Sequence, residues 1–143
     1  MKRVIFMIAV CAGMLQFSNC SAQSDNGNNQ KKESMVEVLY FHGKQRCASC
    51  LAIENGTREL LENVYADKLR SGEIVFKSVN ISENEALADK YEISWSSLLI
   101  VDYDEKGKES VMNLTDFGFT YARSAPEKFQ SGLSAQISKM LNN

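Results

Sequence analysis

The sequence contains little histidine, proline, tryptophan or cysteine. Its 143 residues include one histidine, one proline, one tryptophan and four cysteines. Two of the cysteines lie in the N-terminal segment discussed below, so the rest of the chain offers only His42, Cys47 and Cys50 as soft metal ligands. Since a closed structural zinc site needs four ligands, this scarcity argues against such a site.

The chain also lacks an excess of basic residues. It has 16 Lys and Arg against 18 Asp and Glu, which gives a formal net charge of -2. Domains that bind nucleic acid ordinarily carry a basic patch, so no nucleic acid is expected as a partner. A content of 44% apolar and 24% charged residues is ordinary for a soluble protein, and the length suits one domain.

The first twenty residues have the pattern of a secretory signal. A basic start, Met1 to Arg3, precedes a nearly continuous apolar run from Val4 to Phe17. That run is too short for a comfortable membrane span and has the layout of a signal peptide. We therefore predict that the protein is exported and that its signal peptide lies within residues 1–20.

Cys20 follows this run after small or polar residues, which resembles the lipobox of bacterial lipoproteins. The resemblance implies that Cys20 carries a lipid and anchors a periplasmic protein to a membrane. Asn19 stands where the stricter pattern has Gly, Ala or Ser, so ordinary cleavage near Ala22 is the alternative. Residues 21–34, rich in Asn, Gln, Ser and Lys, are predicted to be a flexible tether to a domain at 35–143.

From residue 35 onward, the patterns of buried strands alternate with those of amphipathic helices. Their order, β-α-β-α-β-β-α, is typical of an α/β domain. The predicted strands cover residues 35–41, 73–79, 98–102 and 109–114, and the predicted helices cover 47–69, 83–91 and a last segment from Pro126.

The first predicted helix carries an apolar stripe at three-to-four spacing. Gly56 in its middle predicts a kink or an interruption. Ser82 is a suitable N-cap for the second helix. The stripe consists of Leu51, Leu60, Leu61, Val64, Tyr65 and Leu69.

Residues 115–125 are predicted to be a loop that brings Phe117, Phe119 and Tyr121 close together. Two interpretations stay open. Either the rings pack the last helix against the sheet, or they form a surface for a partner protein.

Cys47 and Cys50 lie where the first strand has ended and the first long helix begins. Unpaired N–H groups and the helix dipole stabilise a thiolate at such a position, and Lys44 and Arg46 add positive charge. Cys50 lies one helical turn from Cys47, near enough for a disulfide. The spacing predicts thiol-disulfide exchange, with Cys47 as the nucleophile and Cys50 as the resolving residue that releases the target.

The segments EVLYFHGKQRCASC and ADKYEISWSSLLIVD, together with the order of elements, resemble the thioredoxin-like family over residues 35–141. The resemblance implies an α/β thioredoxin-like fold with a central mixed sheet of about four strands flanked by helices. It also implies an active-site Cys-X-X-Cys between the first strand and the first helix, and a substrate-facing loop that contains Trp95 and Ser97.

Two departures from the family pattern affect the expected chemistry. Ser97 occupies the position of the family's cis-proline, where a trans peptide bond is expected because a non-proline cis bond costs about 2.5–4 kcal/mol. Phe41 stands where the family has a buried acid. His42 is the candidate for the vacant proton-transfer role, or it merely hydrogen-bonds to backbone at the end of the strand. Glu54 and Asp102 are weaker candidates, since no positional argument favours them.

The sequence thus predicts an extracytoplasmic thiol-disulfide oxidoreductase without a cofactor, with reduction favoured over oxidation. The family resemblance further implies protein disulfides and a membrane protein that donates electrons as partners. One alternative is a carrier that holds Cu(I) or Zn(II) through Cys47, Cys50 and His42. Another is an interaction module with a structural disulfide, which is disfavoured because short loops gain the least stabilisation from a bridge.

Overall fold

The structure, a computed structural model, describes residues 35–104 and 106–142. The predicted signal peptide, Cys20 and the predicted tether lie outside these residues. No helix of the described part has the length and apolar character needed to cross a membrane. The strands are β1 (Met35–His42), β2 (Ile74–Asn80), β3 (Ser97–Tyr103) and β4 (Glu109–Asn113), and the helices are α1 (Ala48–Val64), α2 (Ala66–Ser71), α3 (Glu85–Lys90), α4 (Thr115–Tyr121) and α5 (Pro126–Leu141).

The four strands form one mixed sheet in the order β2-β1-β3-β4. β1 pairs in parallel with β2 and antiparallel with β3, and β3 pairs antiparallel with β4. The two central strands, β1 and β3, are buried along almost their whole length, as their apolar sequences require. The predicted α/β class, with a thioredoxin-like mixed sheet flanked by helices, is confirmed.

Alternate residues of β1 point to opposite faces of the sheet. Val36, Val38 and Tyr40 belong to the larger core, which they share with residues of α1 and α5. Leu39 and Phe41 belong to a smaller core on the other face, against α3. The start of α1 therefore meets the Tyr40 face of the sheet.

Helix α1 runs through Gly56 without a break and ends at Val64, where Tyr65 separates it from α2. The predicted interruption at Gly56 is therefore wrong. The glycine instead allows close packing of α5 against α1. A Cβ at this position would lie only 3.1 Å from Cε1 of Phe129. Tyr65 also fastens α1 to α5, since its hydroxyl donates to the Ser134 carbonyl at 3.0 Å.

Two residues of the predicted apolar stripe lie outside the core. Leu51 is 42% exposed and Val64 is 61% exposed, so both lie on the outer side of α1. The predicted cap of the next helix is also wrong. Ser82 lies in a short 3-10 helix, and α3 begins only after Asn84.

The aromatic segment is a helix, α4, over Thr115–Tyr121 and not a loop. Phe117 stacks on Phe129 of α5 with ring centroids 5.9 Å apart, as the packing interpretation requires. Phe119 stacks instead on Trp95, also at 5.9 Å. Helix α4 thus connects the last helix to the loop that precedes β3.

Candidate active site

The site begins where β1 ends at His42 and α1 starts at Ala48. Cys47 is the N-cap of α1, with extended backbone angles. Its Sγ accepts a hydrogen bond from the Cys50 N–H at 3.1 Å, in the place where Ser or Asp usually caps a helix. The backbone therefore points a donor at this sulfur.

Cys47 and Cys50 are joined as a disulfide, with their Cα atoms 5.0 Å apart. The predicted proximity of the two thiols is confirmed. The two residues differ in accessibility: Cys47 is exposed, whereas Cys50 is only 6% exposed. A partner molecule can thus reach the first sulfur far more easily than the second.

Tyr40 lies beneath the second cysteine. Its ring is fully buried, and its hydroxyl donates to the Cys50 carbonyl at 2.9 Å. Burial raises the pKa of Tyr40, while the nearby Arg46 charge and hydrogen bonding to Ser96 and Arg46 act in the opposite direction. Tyr40 therefore stays a neutral phenol near neutral pH and holds the first turn of α1 against the sheet.

Ser96 supplies the side-chain contact to the buried sulfur, with 3.7 Å between its Oγ and the Sγ of Cys50. The strand register explains the position. Tyr40 pairs with Leu98 and Phe41 with Ser97, so Ser97 shares the α3 face with Phe41. Ser96 comes one residue earlier and, by the same alternation, is on the side of Tyr40 and α1. Sequence reasoning overlooked Ser96.

Arg46, predicted to stabilise a thiolate, is already engaged by other groups. Its guanidinium forms an ion pair with Glu54 and lies 5.8 Å from the centroid of the Tyr40 ring. Its Nε is buried and has no hydrogen-bond partner within the described structure. Lys44, the other predicted cation, is exposed. The Glu54 carboxylate thus partly neutralises the positive charge that precedes Cys47.

Glu54 is buried in α1 at 7% exposure and binds two arginines. It pairs with Arg46 and also accepts from Arg58 at 3.3 Å. Because Glu54 follows Cys50 by four residues, the two lie on one face of the helix. That spacing was the sequence signal that could have strengthened this weak candidate.

His42 lies at the end of β1 on the same side as Tyr40, with the ring centroids 6.1 Å apart. Its Nδ1 is 3.0 Å from the Gly43 carbonyl oxygen, a contact to backbone of the kind that the alternative interpretation expected. Its role in proton transfer stays a prediction. Asp102, the other weak candidate, lies five residues along β3 from Ser97, which places it roughly 16 Å away at the far end of the strand.

Trp95 and Ser97 line one side of a cleft of about 480 Å³. Trp95 is 60% exposed, while Ser97 is buried and donates from its hydroxyl to the Trp95 carbonyl at 3.0 Å. The described residues contain no cis peptide bond, so the chain is trans at Ser97. The predicted contact of both residues with a substrate stays a prediction.

The three soft ligands considered for a metal carrier do not form a metal site. Within residues 35–104 and 106–142, no group of three or more His, Cys, Asp or Glu side chains could hold an ion. The cysteines are joined to each other, and His42 is directed at backbone.

Comparisons with known proteins place the chain in no named family. No family model matches it, and no curated protein matches it. One similar solved structure is described as that of a malarial protein. It has 23% identity and a TM-score of 0.48, and the match covers 75% of this chain and 98% of that one.

Proposed function

We propose that the protein is an exported thioredoxin-like oxidoreductase that exchanges disulfides through Cys47 and Cys50. The main observation in support is the disulfide at the start of α1, in which Cys47 is exposed and Cys50 is buried. An attacking thiol must reach its target, whereas a resolving thiol must reach only the attacking sulfur. The accessibility of the two cysteines matches these two roles.

In the proposed cycle, the Cys47 thiolate attacks one sulfur of a target disulfide, and the other target sulfur leaves. The Cys50 N–H, 3.1 Å from this sulfur, and the helix N-terminus stabilise the thiolate. Cys50 then attacks Cys47 and displaces the second target sulfur. The target is reduced to two thiols, and the cysteine pair is oxidised to its disulfide.

We further propose that the working direction is reduction and that the protein acts in the periplasm from a lipid anchor on Cys20. Both statements depend on the N-terminal pattern and on the family resemblance. A reductase outside the cytoplasm needs a membrane protein that returns electrons to the Cys47–Cys50 pair. That donor and protein disulfides are the proposed partners.

Trapping of mixed disulfides tests the proposal. Cys50→Ser removes the resolving thiol and leaves Cys47 free to attack, so it should accumulate a covalent adduct with a disulfide-bonded protein such as insulin. Cys47→Ser is the matched control and should trap nothing, because Cys50 is buried. Adducts with both variants in equal amount, or with neither, would contradict the assigned roles.

The wild-type protein, purified alongside these variants, distinguishes the other two candidates. Stoichiometric copper or zinc bound to the wild-type protein, and lost in both cysteine variants, would favour the metal carrier. A disulfide that resists dithiothreitol in the folded protein would favour the structural bridge.

A further inference from the structure

Resolution of the mixed disulfide requires that Cys50 lose its proton, and one polar side chain touches its sulfur. Ser96 Oγ lies 3.7 Å from the Sγ of Cys50. A serine hydroxyl can accept one proton while it donates another. Tyr40 holds the backbone of Cys50, because its hydroxyl donates to the Cys50 carbonyl at 2.9 Å. Cys50 is thus held between two hydroxyl groups.

The ionisable side chains considered above for proton transfer contact groups other than this sulfur. Glu54 is held between Arg46 and Arg58, and Nδ1 of His42 is directed at the Gly43 carbonyl. Phe41, at the position of the family's buried acid, packs on the opposite face of the sheet. Among the side chains that the structure describes, Ser96 is the one with a hydrogen-bond contact to Cys50 Sγ.

We propose that the Ser96 hydroxyl relays the proton of Cys50 to the departing target sulfur. The S–H bond of Cys50 breaks, and its electron pair forms the new bond to Cys47. The bond between Cys47 and the target breaks, and the target sulfur keeps that electron pair. Ser96 accepts the Cys50 proton and donates its own to the target, which leaves as a thiol. The serine is regenerated, and no other reactant is needed.

The inference rests on the proposed function, and leaving groups of different acidity test it. Reduced protein is mixed with oxidised glutathione or with an aromatic nitrothiobenzoate disulfide. Acid quenching and mass spectrometry then follow how fast the mixed disulfide on Cys47 resolves. Glutathione is a weakly acidic thiol that benefits from a proton as it departs. Nitrothiobenzoate departs readily as the thiolate.

Ser96→Ala should slow resolution with glutathione roughly a hundredfold, the lower end of the range for general acid-base catalysis. Resolution with nitrothiobenzoate should slow far less, because that thiolate departs without a proton and Cys50 can lose its own proton to water. Ser96→Thr keeps a hydroxyl and should recover most of the loss. Ser94→Ala, in an exposed residue of the same loop, is the matched control and should change neither rate.

Equal slowing with both leaving groups would mean that Ser96 only shapes the loop, and it would overturn the relay. So would an unchanged rate in Ser96→Ala. A wild-type protein that forms no mixed disulfide with either reagent would remove the proposed function as well. Loss of the relay alone is therefore distinguishable from loss of the whole account.

Discussion

Two polar clusters lie on opposite faces of the sheet and are built from the same kinds of side chain. The sulfur-side cluster consists of Tyr40, Arg46, Glu54 and Ser96. The hairpin-side cluster surrounds the β3–β4 hairpin on the α3 face and consists of Glu37, Lys77, Lys90, Tyr91, Tyr103 and Glu109. Each combines hydroxyl groups with acid-base pairs, yet of the two only the first touches a sulfur atom.

The hairpin-side cluster contains the two tyrosines whose pKa values are raised most, Tyr91 and Tyr103. Burial, followed by the hydrogen bond to Glu109, raises the pKa of Tyr91 to about 12. Burial also raises the pKa of Tyr103, while hydrogen bonds from Lys90 and Tyr91 lower that of Glu109. None of these groups contacts the cysteines. Perturbed titration therefore marks a hydrogen-bonded network of side chains, and contact with the reacting atom is needed before such a network is given a chemical role.

Removal of one carboxylate from each cluster should give the largest difference between the two clusters in its effect on Cys47. Glu54→Ala should lower the free energy of unfolding by about 2–3 kcal/mol, because it removes buried hydrogen bonds between charged groups. It should also raise the thiolate fraction of Cys47, since Arg46 loses its competing partner. Urea unfolding and the pH dependence of iodoacetamide alkylation measure the two effects.

Glu109→Ala should also destabilise the fold, but it should leave alkylation of Cys47 unchanged. Glu59→Ala, at an exposed position of α1, controls for helix propensity and should alter neither property. An equal effect of Glu109→Ala and Glu54→Ala on alkylation would remove the distinction between the clusters.

Paired tyrosine substitutions should give a smaller contrast. Tyr40→Phe and Tyr103→Phe each remove hydroxyl hydrogen bonds, so each should cost about 1 kcal/mol of stability. Only Tyr40→Phe should change the reduction potential of the cysteine pair, because only Tyr40 bonds to Cys50. If this bond is lost on reduction, its removal should raise the potential by roughly 20 mV for 1 kcal/mol. Equilibration with glutathione measures the potential. A shift in Tyr103→Phe alone would contradict this assignment.

Trp95 tests whether the surface beside the sulfur-side cluster selects protein targets. Trp95→Ala removes a 60% exposed ring and its stacking on Phe119, so it should reduce kcat/KM for a protein disulfide by roughly threefold to tenfold. Exchange with oxidised glutathione should stay unchanged. Val111→Ala, at 48% exposure on β4, is the matched control. A loss with glutathione as well would indicate that Trp95 only supports the site.

The smallest effect concerns alkaline pH and the hairpin-side cluster. Since the pKa of Tyr91 is raised, folding favours its neutral form. That contribution is complete below the ordinary pKa of 10.0 and is lost as pH rises toward about 12. Tyr91→Phe should therefore reduce the loss of stability in this range, as measured by urea unfolding at several pH values. A pH dependence equal to that of the wild type would show that Tyr91 does not contribute.

Local patterns in the sequence were enough to predict the four strands and the position of Cys47 at the start of α1. Runs of β-branched and aromatic residues are a strong local signal of buried strands, and Cys47 and Cys50 closely follow such a run. The interruption predicted at Gly56 was wrong because this glycine allows close packing of Phe129, a residue far away in the chain. Likewise, two contacts of α4, Phe117 on Phe129 and Phe119 on Trp95, join residues far apart in the chain and could not be predicted from local patterns.

The choice between Ser96 and Ser97 at the sulfur could not be made from the sequence. It depends on the pairing of Phe41 with Ser97, and a shift of one residue would exchange the two faces. The position of Glu54 on the same helix face as Cys50 could have been predicted from their four-residue spacing. Its ion pair with Arg46 could not, because it depends on the folded structure.

The central claim is that Cys47 and Cys50 act as a reversible dithiol, and a redox titration of the purified protein tests it most directly. The protein is equilibrated in glutathione and dithiothreitol buffers, free thiols are trapped, and metal content is measured in the same sample. The account predicts one two-electron transition that involves both cysteines, with a potential nearer that of thioredoxin, about -270 mV, than that of a strong oxidant at about -120 mV. Thiols that stay in one state across the whole range, or that are held by stoichiometric metal, would contradict it.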